Sequence, residues 1–183
     1  MAGFARKCSA RSVYALLIVA ILPSYSAAQR HVPPRTWRNN PAIRRIRNLS
    51  ANIDAALALG WLTTRADSAE CDGGSERVVA HLNTDSSGHA RKDVLRSGSD
   101  DSAGEVRYYY DARGRLRLTY ERFGAVNGTR RETRIYSDTT GAQIYKDVRL
   151  LNSPGYNGGF EPMISDPVAD FRSQCGPPYP PQR

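Results

Sequence analysis

Apolar residues recur every three or four positions over residues 41–59 and predict one amphipathic helix. The stripe consists of Ile43, Ile46, Leu49, Ile53 and Leu57. Asn40 is a favourable N-cap, and Pro41 suits the first helical position, where a missing N–H costs nothing. Gly60 suits the left-handed residue that ends a helix. We expect the stripe to be buried, with Trp61 folding back to cover part of it.

Beyond residue 77 the pattern changes to alternation with a period of two, interrupted by regular corners. An Asp-x-x-Gly motif starts at Asp85, Asp111 and Asp138, at spacings of 26 and 27 residues. Aspartate at the first position of a turn binds the backbone ahead of it, and glycine supplies positive φ at the exit. Because alternating residues flank every motif, each corner predicts a β-hairpin.

The alternating segments around the corners predict the strands of one sheet. The strand at 115–122 places Leu116, Leu118 and Tyr120 on one face, and its partner does the same with Val106, Tyr108 and Tyr110. A single hairpin cannot bury a face alone, so the hairpins should join. The sequence predicts an α+β, mostly β fold: about six antiparallel strands in three hairpins, covered by the N-terminal helix. A partly closed barrel is the alternative form of this sheet.

The stretch Tyr110-Asp-Ala-Arg-Gly-Arg-Leu116 is similar to one unit of the YD-type repeats of large secreted bacterial shells. The likeness covers seven residues, and the other two corners lack the flanking Tyr-Asp and Gly-Arg-Leu. It implies a hairpin at this place and no function.

The N-terminus has the pattern of a secretory leader. Three cations (Arg6, Lys7 and Arg11) precede a ten-residue apolar run at 13–22, and small residues lie ahead of Gln29. The run is too short to span a bilayer as a mature helix. We therefore expect residues 1–28 to be cleaved, leaving no stable membrane span and a periplasmic or secreted protein. An uncleaved anchor is the alternative.

Charge and composition divide the rest of the chain. We expect a basic extended arm at 29–39, a single domain at 40–175 and a proline-rich flexible tail at 176–183. The segment 29–47 holds six arginines and no acid, whereas 48–183 holds 17 basic and 18 acidic residues. The domain is therefore nearly neutral, and we expect no nucleic acid as a partner. The 23 arginines against 3 lysines are typical of a GC-rich bacterial genome.

Two cysteines lie beyond the leader, Cys71 and Cys175, and an even pair in an exported protein predicts a disulfide bond. It would close a loop of about a hundred residues, worth up to roughly 4–5 kcal/mol if it acts by restricting the unfolded chain. Two free thiols are the alternative.

No constellation of catalytic or metal-binding residues stands out. His81 and His89 flank the first corner, but nothing with suitable spacing completes a zinc site. The chain has no nucleophile elbow, P-loop or dinucleotide motif. Asp100, Asp101 and Glu105 lie in a Ser/Gly-rich stretch that we interpret as a linker, with acid–base chemistry or calcium binding as the alternative. We expect no catalytic residues, metal or cofactor.

The sheet face opposite the predicted core is rich in arginine and tyrosine. Its candidate binding residues are Arg107, Tyr109, Arg115, Arg117, Arg134 and Tyr136. Interleaved arginine and tyrosine hold anionic polymers or proteins by charge and stacking. The alternative is a polar outer face whose arginines pair with Glu121, Glu132 and Asp147 across the strands.

These observations together predict a small exported, non-catalytic binding or interaction module of the bacterial envelope. Its candidate partners are an envelope protein, an anionic polysaccharide or peptidoglycan. Two alternatives stay open: a small secreted hydrolase that uses acidic residues, and an envelope structural subunit that pairs through a sheet edge.

Overall fold

A computed structural model of the chain describes residues 36–71, 76–152 and 167–168, with the backbone alone at Cys71 and Glu76. A 3₁₀ turn at Trp37–Asn39 leads into helix α1, Pro41–Ala58. Seven strands follow: β1 (Thr63–Cys71), β2 (Glu76–Thr84), β3 (Ala90–Gly98), β4 (Ser102–Tyr110), β5 (Leu116–Ala125), β6 (Arg130–Ser137) and β7 (Gln143–Asn152).

The seven strands form one antiparallel sheet in which each strand pairs with its neighbours in sequence, in the order β1 to β7. The predicted mostly β architecture with hairpins and one helix is confirmed. The prediction of six strands omitted β1. This edge strand is largely exposed, and its sequence (TTRADSAEC) has no apolar alternation. The partly closed barrel is wrong, because β1 and β7 lie at opposite edges of an open sheet.

Helix α1 begins and ends with the predicted caps. The Asn40 side chain accepts hydrogen bonds from the backbone N–H groups of Ala42 (2.9 Å) and Ile43 (3.4 Å). At the other end Gly60 has φ +73°, and the Trp61 N–H donates to the Ala56 carbonyl at 2.9 Å. This is the Schellman arrangement, in which a left-handed residue returns N–H groups to the last turn.

Helix α1 lies across the strands on one side of the sheet, called here the helix face. Its buried isoleucines and Trp37 pack with a row of side chains from four strands: Tyr109, Leu118, Tyr136 and Tyr145. Trp37 stacks on Tyr145 with ring centroids 4.8 Å apart. Trp61 is 72% exposed, so the expectation that it covers the stripe was wrong. Residues 37–39 of the predicted arm form the 3₁₀ turn, and 29–35 lie outside the described residues.

The opposite face of the sheet carries a second apolar cluster. It consists of Ala80, Leu82, Ala90, Tyr108, Tyr110 and Leu116, and Val168 packs against it. The sheet therefore buries apolar side chains on both sides, which the prediction of a single covered face did not anticipate.

The three Asp-x-x-Gly corners are confirmed, and each is followed by a β-bulge. Their glycines have φ between +72° and +89°. The residue six positions after each aspartate (Arg91, Arg117 or Ile144) has no partner in the strand register. Because a bulge adds one residue to the strand, the side chains beyond it project from the opposite face of the sheet. For this reason Leu116 packs on the opposite face while Leu118 packs beneath the helix, although alternation had placed both on one face.

Several predictions fall on residues that the structure does not describe. These are the leader at 1–28, the tail at 176–183, Cys175 and the side chain of Cys71. The disulfide therefore stays a prediction. Among the residues that are described, no helix is both long and apolar enough to cross a membrane.

Candidate functional site

The helix covers only part of its face, and the next two rows of side chains form a polar surface. In strand register, one row is Arg107, Tyr120, Arg134 and Asp147, and the next is Arg96, Glu105, Arg122, Glu132 and Arg149. We call these nine residues the arginine–tyrosine patch. It spans β3 to β7 because equivalent positions of neighbouring antiparallel strands project from the same face.

Tyr120 lies at the centre of the patch between two arginines. The guanidinium groups of Arg107 and Arg134 lie 5.5 and 4.7 Å from its ring centroid. Its hydroxyl donates to Glu132 Oε1 at 3.0 Å. Burial and the Glu132 carboxylate raise the pKa of Tyr120, so its hydroxyl keeps its proton at neutral pH. Cation–π contacts with the ring help to hold the two guanidinium groups in place.

Each carboxylate of the patch binds two arginines. The pairs are Glu105 with Arg96 (2.6 Å) and Arg107, Glu132 with Arg134 (3.1 Å) and Arg122 (3.8 Å), and Asp147 with Arg149 (3.1 Å) and Arg134 (3.9 Å). Five arginines therefore share three carboxylates, and the patch keeps a formal charge of +2.

The patch carboxylates are ionised counter-charges and are poorly suited to donate protons. Partial burial raises the pKa of Glu105, but hydrogen bonds and charge from Arg96 and Arg107 outweigh it and leave the pKa below its usual value. Burial likewise raises the pKa of Glu132, while the Tyr120 hydroxyl and Arg134 bring it below normal. These groups therefore position arginines at neutral pH.

Two adjoining cavities lie along the patch. One, of about 480 Å³, is lined by small residues (Ala103, Gly104 and Gly124) and by charged side chains, most of them arginines. The other, of about 430 Å³, lies beside the C-terminal end of α1. Arg96 and Arg107 line both. We call the joined cavities the basic groove; its basic lining residues are Lys92, Arg96, Arg107, Arg122, Arg130 and Arg131, and its acidic ones are Asp54, Glu105 and Glu132.

A cluster of three polar side chains lies where the groove meets the helix. Lys92 Nζ lies 2.6 Å from Asp54 Oδ1, and the Tyr109 hydroxyl lies 3.2 Å from Asp54 Oδ2. Burial, followed by the Asp54 charge, raises the pKa of Tyr109 to about 12. Tyr109 therefore stays neutral and donates to Asp54, while Lys92 brings a buried cation to this end of the groove.

The structure separates the predicted binding residues into three groups. Arg107 and Arg134 belong to the patch. Tyr109 and Tyr136 are 4% and 2% exposed beneath α1, so their placement on a face opposite the core was incorrect. The helix packs on their row because the bulges bring Leu118 and Tyr145 into the same row as the two tyrosines.

Arg115 and Arg117 lie at the second corner, away from the patch. The Asp111 carboxylate accepts from Arg115 Nε at 2.9 Å, and Arg117 Nη1 lies 3.4 Å from it. Arg117 Nε also donates to the Ser137 carbonyl at 3.1 Å. Both arginines therefore stabilise the corner, and their predicted role in binding stays a prediction.

Sequence reasoning missed several members of the site. Tyr120 was assigned to the core face, and Arg96, Arg122, Arg149 and Lys92 were not singled out. Their alternation with apolar residues is visible in the sequence, but the face that they share depends on the bulges and on the strand register.

The other acidic and histidine candidates do not assemble a reactive centre. Asp100 and Asp101 are exposed in the β3–β4 loop, and hydrogen bonds from Ser99 and Ser102 lower the pKa of Asp101. His89 lies 3.8 Å from Asp85 at the first corner, whereas His81 lines the groove. Within residues 36–71, 76–152 and 167–168, no three His, Cys, Asp or Glu residues are grouped to hold a metal ion.

No protein-family model matches the chain, and no curated protein or solved structure shows significant similarity to it. The function of the chain is therefore inferred from the geometry of the site.

Proposed function

We propose that this chain is a small, non-catalytic binding module of the bacterial envelope that holds an anionic polysaccharide in the basic groove. The observation that carries the proposal is the patch itself, where five arginines share three carboxylates around Tyr120. Guanidinium groups fixed in this way recognise carboxylate or sulfate groups in a fork geometry without having to be ordered on binding. Periplasmic or secreted localisation is part of the proposal and rests on the leader.

The distribution of charge supports an anionic ligand. The groove is lined by six basic and three acidic residues. Segment 48–183 holds 17 basic and 18 acidic residues, so its remainder has 17 − 6 = 11 basic and 18 − 3 = 15 acidic residues. A nearly neutral segment thus carries an excess of positive charge along the groove, which attracts anions there.

The shape and chemistry of the groove favour a polar polymer over a folded protein. Two cavities that adjoin at Arg96 and Arg107 suit an extended ligand. Protein interfaces are anchored by buried apolar and aromatic side chains. The lining of the larger cavity offers only Phe123 and Leu151 as large apolar side chains. An acidic polysaccharide would bind mainly through the arginines and would depend less on such apolar anchors.

The acidic residues favour binding over the hydrolase alternative. A glycoside hydrolase needs two carboxyl groups, one of them with a raised pKa as the proton donor. Arg96 and Arg107 lower the pKa of Glu105 against the opposing effect of burial, and Asp101 lies apart in a loop.

The envelope-subunit alternative is supported by the open edges of the sheet. Strand β7 exposes Val148, Leu150 and Leu151 by half or more. Such an edge is able to pair with another chain. Light scattering separates the two functions, because a clean monomer at high concentration would contradict the subunit.

The proposal is tested by calorimetric titration with polygalacturonate, using a neutral glucan as the comparison polymer. We expect binding to the acidic polymer alone, weakening as salt increases. Arg107→Gln with Arg122→Gln, at two residues that belong to both the patch and the groove, should weaken it at least tenfold. Arg113→Gln is the matched control, since Arg113 is an exposed corner arginine with no salt bridge to a described residue. Equal binding of both polymers, or no effect of the double substitution in a folded protein, would overturn the proposal.

A further inference from the structure

The first half of helix α1 and the turn before it carry exposed arginines that form no salt bridge with a described residue. Arg44, Arg45 and Arg47 are exposed, as is Arg38 in the preceding turn. None of the four forms a salt bridge with residues 36–71, 76–152 or 167–168, and no acidic residue occurs between 36 and 53. By contrast, every arginine of the arginine–tyrosine patch is paired with a carboxylate.

These arginines occupy the less favourable end of the helix. The N-terminus of an α-helix carries partial positive charge, which favours acidic residues in its first turns. Helix α1 has no acidic residue there. Arg44, the fourth residue of the helix, lies closest to this end, and an external anionic surface would offset its charge and that of the helix terminus.

The C-terminal end of the same helix exposes two large apolar side chains. Leu59 is 62% and Trp61 72% exposed. At 100° per residue, Leu59 projects within about 60° of Arg44. The Schellman bonds at Gly60 fix the backbone of Trp61 at this end. The side of the helix that faces away from the sheet thus presents Arg44 near its start and Leu59 at its end, with Arg47 at its flank, whereas Arg45 lines a cavity with Asp111 and Asp138.

We propose that the outward side of α1 rests on an anionic lipid surface. Arginines would contact the headgroups, while Trp61 and Leu59 would enter the interfacial region, where amphipathic aromatic rings are favoured. A soluble polyanion would account for the arginines but would leave the exposed Trp61 without a role. This surface is separate from the basic groove, and the inference does not depend on the ligand of the groove.

The two tryptophans of the chain provide a specific readout. Trp37 is 9% exposed and stacked on Tyr145, so a change in emission on binding reports Trp61. The experiment uses the chain from Gln29 onward, which contains every described residue. Vesicles contain either phosphatidylglycerol with phosphatidylcholine, or phosphatidylcholine alone.

With anionic vesicles we expect blue-shifted emission and protection from a soluble quencher, and with neutral vesicles neither. Trp61→Phe should abolish the shift but retain most of the binding. Arg44→Gln and Arg47→Gln should each weaken vesicle binding about fivefold, because the attraction of one basic residue to an anionic surface changes the affinity by about that factor. Arg113→Gln serves as the control and should bind as the parent does, with folding checked by circular dichroism.

Three results would overturn the inference. The first is equal binding to both kinds of vesicle, and the second is binding to anionic vesicles without a change at Trp61. The third is a loss of binding to polygalacturonate in Arg44→Gln and Arg47→Gln that equals their loss on vesicles, which would assign the arginines to a soluble polymer. The Arg107 and Arg122 double variant tests the groove independently.

Discussion

The ammonium group of Lys92 lies 2.6 Å from the carboxylate of Asp54, joining strand β3 to the C-terminal half of α1. Trp37, just before the helix, contacts Tyr145 on β7. The helix is therefore held at its start by aromatic stacking over the β7 edge of the sheet and near its end by an ion pair to β3, the third strand.

Asp54→Asn should lower the free energy of unfolding by about 1–2 kcal/mol, because it leaves a mostly buried ammonium group without its counter-charge. The expected loss of stability is modest because the Asp54 side chain is 46% exposed and solvent screens the ion pair. Urea unfolding measures the change. Asp100→Asn, in an exposed loop, should change stability by less than about 0.5 kcal/mol; an equal loss in both variants would contradict the role of the pair.

Stability should fall at alkaline pH because of Tyr109. Burial, followed by Asp54, raises its pKa to about 12. In the unfolded chain tyrosine ionises near pH ~10. The folded state therefore holds the proton more tightly, and this contribution is complete below pH ~10 and is lost as pH rises toward ~12.

The free energy of unfolding, measured at about pH 9 and about pH 11, tests this. Tyr109→Phe should lose less stability between these two pH values than the parent protein does. Asp54→Asn should lower the pKa of Tyr109 in an absorbance titration of the phenol, but not to its ordinary value, because burial remains. An unchanged pH dependence in Tyr109→Phe would assign the loss to other groups.

The second corner should depend on its glycine through backbone conformation alone. Gly114 has φ +72°, and a Cβ atom there would meet nothing within 4 Å. Gly114→Ala should therefore destabilise by about 1 kcal/mol from strain. Gly98→Ala is the control, since Gly98 lacks a left-handed φ and its nearest neighbour is at an ordinary 3.7 Å. Thermal denaturation compares the two, and a cost at Gly98 equal to that at Gly114 would refute the explanation.

The features predictable from sequence were those encoded by local chemistry. Asn40, Pro41 and Gly60 set the ends of α1, and each Asp-x-x-Gly corner is specified within four residues. The face to which each side chain belongs depends on bulges that no local signal marked. Tyr109 and Tyr120 illustrate this: the sequence placed them on opposite faces, but both lie on the helix face, the first buried beneath α1 and the second at the centre of the patch.

Leu116 and Leu118 should contribute to stability independently although they are two residues apart. They belong to separate clusters on opposite sides of the sheet. Each Leu→Ala substitution should cost about 2–4 kcal/mol, and the double variant should cost close to the sum. Chemical denaturation provides the values. Leu150→Ala, at a side chain that is 53% exposed, should be nearly neutral; strong non-additivity between the two leucines would mean that they share one core.

The predicted disulfide between Cys71 and Cys175 can be tested by thiol titration of the unfolded, unreduced protein. We expect no free thiol in the exported chain from Gln29. Reduction should lower stability by up to roughly 4–5 kcal/mol. Cys71→Ser with Cys175→Ser should reproduce the loss, and two reactive thiols before reduction would exclude the bond.

Because α1 crosses the strands, its length limits how wide the sheet can become. Eighteen residues of helix extend about 27 Å. Seven strands at the usual spacing are about 29 Å wide. The two strands of another hairpin would extend about 10 Å beyond the helix, and the side chains of that hairpin on the helix face would be exposed to water. Lineages that gain a fourth corner should therefore also gain about two turns of helix, or a second helix beside the first.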